Sequence, residues 1–90
     1  MNILVNKMSQ KLIKEDKIIR WPKKVIEKEF ILEYISKKII SNKKYSEKEI
    51  NQIIIENILF VDYVLIRREL VERGYLNRTK DCKEYWKDKK

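Results

Sequence analysis

Arg67 and Arg68 stand side by side in the segment Tyr63 to Arg73, and Arg78, Lys80 and Lys83 follow within a short basic stretch. Guanidinium and ammonium groups so spaced are ligands for phosphate oxygens, and arginine also reads guanine edges. Glu47 and Glu49 beside Tyr45 resemble an acid/base or metal pair, but Ser46-Glu47-Lys48-Glu49 is a capping box. In it Ser46 and Glu49 serve the backbone, and Glu47 favours the positive end of the helix dipole. Histidine is absent, which removes Ser/His/Asp and Cys/His nucleophile systems and leaves Cys82 as the lone soft metal ligand. With one glycine in the chain, a phosphate-cradling loop is excluded as well. The expectation is a non-catalytic protein with no catalytic residues, metal or cofactor.

The formal charge of +8 favours an anionic partner, because a basic surface gains free energy by releasing phosphate counterions. The excess is concentrated in Arg20–Lys44 and Gly74–Lys90, while Tyr45–Phe60 is net acidic. The apolar runs are too short to span a membrane, no secretory signal is seen at the start, and Cys82 has no partner for a disulfide. These point to the cytoplasm.

The elements that must position these groups follow from the apolar spacing. Leu4, Met8 and Leu12, with Val5 and Ile13 beside them, predict an amphipathic helix over Asn2–Lys17. Its stripe must be covered, either by its own domain or by a second copy. The reading takes Leu4, Val5, Met8 and Leu12 as a homodimer surface. Lys17–Trp21 reads as a strand that pairs with the later hairpin, Pro22 as the first residue of a helix running Lys23–Ile40, and Trp21 and Trp86 as core. Ser46 opens the next helix, Asp62 caps the one after it, and Gly74 ends that helix with a positive φ. Tyr75–Arg78 and Glu84–Lys87 alternate as a β-hairpin, with Asp81-Cys82 at a turn that usually favours glycine.

The resulting fold is mostly α with a small β part (α+β): a winged helix-turn-helix over residues 17–87, with an extra N-terminal amphipathic helix over 1–16, a C-terminal hairpin wing and a frayed tail at 88–90. In it Tyr63, Ile66, Leu70 and Val71 point inward, Leu65, Arg68 and Glu72 outward, and Arg67 and Glu69 lie on the flanks. Arg67, Arg68, Arg78, Lys80 and Lys83 are then the expected contacts to duplex DNA, unless Arg68 pairs with Glu72 at i,i+4. The alternative function is a protein–protein interaction or dimerisation module that binds no DNA.

Arg20-Trp21-Pro22-Lys23-Lys24, Tyr45-Ser46-Glu47-Lys48-Glu49-Ile50-Asn51, Ile66-Arg67-Arg68-Glu69-Leu70-Val71, Gly74-Tyr75-Leu76 and Tyr85-Trp86, taken together, resemble the bacterial domain of unknown function 2087 family. The resemblance covers Lys17 to Trp86. It implies a winged-helix fold and a bacterial transcriptional-regulator context, and it implies no reaction.

Overall fold

The N-terminal apolar stripe does not continue as a helix to Lys17. The computed structural model describes residues 3–88, with the side chains of Leu4 and Val5 outside the description. Helix α1 (Ile3–Leu12) gives way to a hairpin of β1 (Ile13–Lys14) and β2 (Lys17–Ile18), with Ile13 opposite Ile18 and Lys14 opposite Lys17. Its two-residue turn holds Glu15 at φ 52° and Asp16 at φ 67°, the positive-φ pair that a tight hairpin needs in order to match strand twist. Glutamate is an uncommon residue for that conformation, so the turn has no composition signal.

The β2 segment also corrects the expected pairing with the C-terminal hairpin. Ile18 N–H donates to Asn57 O at 2.9 Å and Leu59 N–H donates to Ile18 O at 2.8 Å, which stitches β2 to the connection between the next two helices. Trp21 packs against the core with the Lys28 ammonium 5.5 Å from its ring. The longest helix, α2 (Val25–Ser36), starts three residues after Pro22, with Lys24 as a cap that makes no side-chain bond. Its C-terminal carbonyl on Ser36 accepts from Lys87 Nζ at 2.7 Å, a cation at the negative end of the helix.

Helix α3 (Glu47–Glu56) begins on the expected capping box: Glu49 N–H donates to Ser46 Oγ at 3.1 Å and Ser46 N–H donates to Glu49 Oε1 at 2.8 Å. Helix α4 (Tyr63–Glu72) is followed by β3 (Asn77–Arg78) and β4 (Tyr85–Trp86), which pair antiparallel. Tyr45, from the segment between α2 and α3, exchanges two 2.8 Å backbone bonds with Tyr85. The third segment beside the hairpin is therefore Ser41–Tyr45, not Lys17–Trp21.

Ile18, Ile31, Leu32, Ile35, Ile50, Ile54, Ile66 and Leu70 are fully excluded from solvent and form one core with Tyr85 and Leu76. Met8 and Leu12 join this same core, and Lys11 Nζ meets Glu27 Oε2 at 2.9 Å to hold α1 against α2. Of the two ways of covering the stripe, these two residues take burial within their own chain; this corrects their assignment to a dimer surface. The Leu4 and Val5 side chains, expected to share that surface, lie outside the described residues, as do Lys89 and Lys90 of the expected frayed tail. Trp86 departs from expectation too: it is half-buried and outside the core cluster. The fold is α+β, and among the described residues no helix is long and apolar enough to cross a membrane.

Candidate nucleic-acid interface

Two local devices set the limits of α4. Asp62 Oδ1 accepts from Leu65 N–H at 3.0 Å, satisfying one of the donors orphaned at a helix start, and Gly74 at φ 83° turns the chain away at the other end. Ile66 and Leu70 face the core, and Tyr63 and Val71 pack at its edge, as their spacing predicts. That leaves Arg68 and Glu72 exposed and Arg67 on the flank.

The three arginines of α4 and its C-terminal cap are used differently. Arg67 is 16% exposed at its side chain and lies 3.5 Å from Glu47 Oε1 through Nη2, while its Nη1 donates to Asn51 Oδ1 at 2.6 Å. Tyr85 Oη donates to the same Glu47 oxygen at 2.9 Å. Burial, followed by that carboxylate, pushes the Tyr85 hydroxyl well above the usual phenol range. Arg67, expected to meet phosphate, therefore helps to tie α3, α4 and β4 together. Arg73 pairs with Glu69 at 2.7 Å. Arg68 makes no ion pair among the described residues, so the expected partner Glu72 does not neutralise it.

Between α4 and the hairpin lies a cleft of about 350 Å³ whose walls include Arg67, Arg68, Val71 and Glu72 from the helix and Arg78, Cys82 and Tyr85 from the hairpin. The hairpin loop is ordered by its own polar side chains. Thr79 Oγ1 donates to Asp81 Oδ1 at 2.7 Å, and the same carboxylate oxygen accepts from Lys83 N–H at 3.0 Å. The Thr79 hydroxyl, then the Lys83 amide, hold the Asp81 carboxyl below its ordinary range. Cys82 sits at φ 62°, the left-handed conformation for which its position favours glycine. Its Sγ accepts from Arg78 Nη1 at 3.3 Å. Lys80 and Lys83 are exposed on this loop.

Residues 17–87 match the family described as uncharacterized proteins conserved in bacteria (DUF2087). The chain belongs to that family. No curated protein and no solved structure matches it. In this DUF2087 chain the matched range starts at β2 and ends just past β4, so the three core helices and the hairpin lie inside it and α1 lies outside.

The site thus brings Arg68 and Arg78 to one cleft, with Lys80 and Lys83 on the loop beyond it. Sequence reasoning missed the roles of Glu47, Asn51 and Tyr85. Glu47 was legible only as a helix-start residue, because its partner Tyr85 is 38 positions away. Among the described residues no cluster of cysteine and carboxylate side chains could hold a metal ion.

Proposed function

We propose that this DUF2087 protein binds duplex DNA without catalysis, as a winged helix in which α4 meets the groove and the β3–β4 loop is the wing. The order of elements supports this reading: α2, the Ser41–Tyr45 segment, α3, α4, then a hairpin whose β4 pairs with that segment. The observation that carries it is the cleft between α4 and the hairpin, where Arg68 and Arg78 face one space and neither is neutralised by an ion pair among the described residues. Two guanidinium groups there, with Lys80 and Lys83 beyond, grip backbone phosphate, and Arg68 has the position on α4 to reach a base edge. The free thiol Cys82 supports a reducing cytoplasm as its place of work. The test is anisotropy of a labelled duplex at low ionic strength with Arg68→Glu and Arg78→Glu. Each should remove most of the binding while leaving the helical circular dichroism unchanged.

A second reading, a protein-interaction module, is favoured by a different observation. Ile55, Leu59, Val61 and Val64 are all exposed around the corner that joins α3 to α4. Absence of duplex binding by the wild-type chain at low salt would select it.

A further inference from the structure

Cations at the start of a helix oppose its dipole, yet α2 opens on Lys23 and Lys24, and Lys24 caps it without a side-chain bond. Among the described residues neither of these lysines, nor Arg20, nor Lys28 forms an ion pair. The one carboxylate of the first turn, Glu27, is buried and taken by Lys11 at 2.9 Å. The Lys11 hydrogen bond holds that carboxyl below its ordinary range, and the charges of Lys24 and Arg20 add to the effect, so three cations lie near one point. The same turn carries two exposed apolar side chains, Val25 at 57% and Ile26 at 50%. Trp21 is half-buried just before it, with the Lys28 ammonium 5.5 Å from its ring. Glu29, exposed one turn further along α2, lies within range of the Arg73 guanidinium.

We propose that the start of α2 docks on a bilayer of anionic lipid, with Val25 and Ile26 entering the headgroup boundary and Arg20, Lys23 and Lys24 set against the lipid phosphates. Aliphatic side chains next to unpaired cations suit a partner that is apolar within and anionic at its surface. Duplex DNA offers the charge but no apolar layer to receive Val25 and Ile26. A folded partner needs a groove shaped to cover them, whereas a bilayer accepts the projecting end of a helix. An aromatic ring at the edge of the patch, as at Trp21, suits the polar–apolar boundary of a membrane. Stable anchoring takes two signals, and here the apolar pair and the cations supply one each. None of these residues lines the cleft between α4 and the hairpin, so the inference stands apart from the DNA reading.

The experiment is flotation of the full chain with vesicles of phosphatidylcholine alone and of phosphatidylcholine with about 30% phosphatidylglycerol, an anionic surface that attracts cations. The wild type should float with the anionic vesicles and not with the neutral ones, and less so as salt rises. Val25→Asp and Lys24→Gln should each lower the affinity by about fivefold or more. Val25→Asp places an acid in the first turn, where the dipole favours it, so its loss of binding does not come from unfolding, which circular dichroism verifies. Lys80→Gln with Lys83→Gln on the hairpin loop should leave flotation unchanged, and Val25→Asp should leave duplex affinity unchanged, so the failure of one reading is seen apart from the failure of the other. A wild-type chain that stays with the bulk at low salt, flotation indifferent to Val25→Asp, or an equal loss from the hairpin variant overturns the proposal. Binding to poly-glutamate in place of vesicles, lost in Lys24→Gln, would also overturn it and assign the patch to an acidic protein.

Discussion

The Tyr85 hydroxyl donates a 2.9 Å hydrogen bond to Glu47 Oε1, and that bond joins the last strand of the chain to the first residue of α3. The same oxygen lies 3.5 Å from Arg67 Nη2, so one carboxylate faces both the hairpin and α4. This clamp sets how the hairpin stands against the helix. Tyr85→Phe leaves the ring buried and removes only the hydroxyl, and it should lower stability by about 1–2 kcal/mol in urea unfolding. A loss indistinguishable from zero would show that the hairpin is held by its backbone pairing with Tyr45 alone.

Burial separates the residues that hold α4 from those that face the cleft. Ile66→Ala and Leu70→Ala remove fully enclosed side chains, and each should cost about 2–5 kcal/mol. Arg68→Glu changes an exposed position and should shift stability by less than about 0.5 kcal/mol. Thermal melts of the three variants check the contrast, and a large loss for Arg68→Glu would make that side chain structural.

Gly74 tests backbone conformation in isolation. A Cβ added there meets nothing within 4 Å, yet φ is 83°, so Gly74→Ala suffers only the left-handed penalty. The expected cost is about 1 kcal/mol in urea unfolding, and a neutral result would mean that α4 ends without that conformation.

Acid should destabilise the protein through three carboxylates. The Lys11 hydrogen bond holds Glu27 below its ordinary value, the Ser46 amide and hydroxyl do so for Glu49, and the Thr79 hydroxyl does so for Asp81. A carboxylate depressed in the folded state contributes stability above its unfolded value and loses it as pH falls through the folded one. Urea midpoints should therefore hold down to about pH 5 and fall below about pH 4. Lys11→Met should lower the midpoint near neutrality and flatten the acid decline; an unchanged pH dependence would show that the Lys11–Glu27 contact is not linked to folding.

Local signals were legible wherever a few neighbouring residues decide the structure. The Ser46–Glu49 box, the Asp62 cap, the positive φ at Gly74 and the inward face of α4 all follow from chemistry within one or two helical turns. The β1–β2 turn was hidden because Glu15 and Asp16 take positive φ without glycine or asparagine. Tertiary pairings were hidden for another reason. Tyr45 rather than Lys17–Trp21 lies beside β4, and Arg67 faces Glu47 and Asn51, because contacts across long stretches of chain leave no periodic trace. The candidate site was half legible: Arg68 is exposed where helical spacing puts it and Arg78, Lys80 and Lys83 are exposed on the hairpin, while Arg67, on the flank as expected, is held by Glu47 and Asn51 in a network that spacing does not reveal.

The most direct test of DNA binding is the affinity of the full chain for a short duplex measured as a function of salt. With Arg68, Arg78, Lys80 and Lys83 each neutralising one phosphate, log affinity should fall against log salt with a slope of roughly −3 to −4, from about −0.9 per contact. Arg78→Gln should reduce that slope by about 1. A duplex affinity that is undetectable at the lowest salt, or one that does not change with salt, contradicts the account.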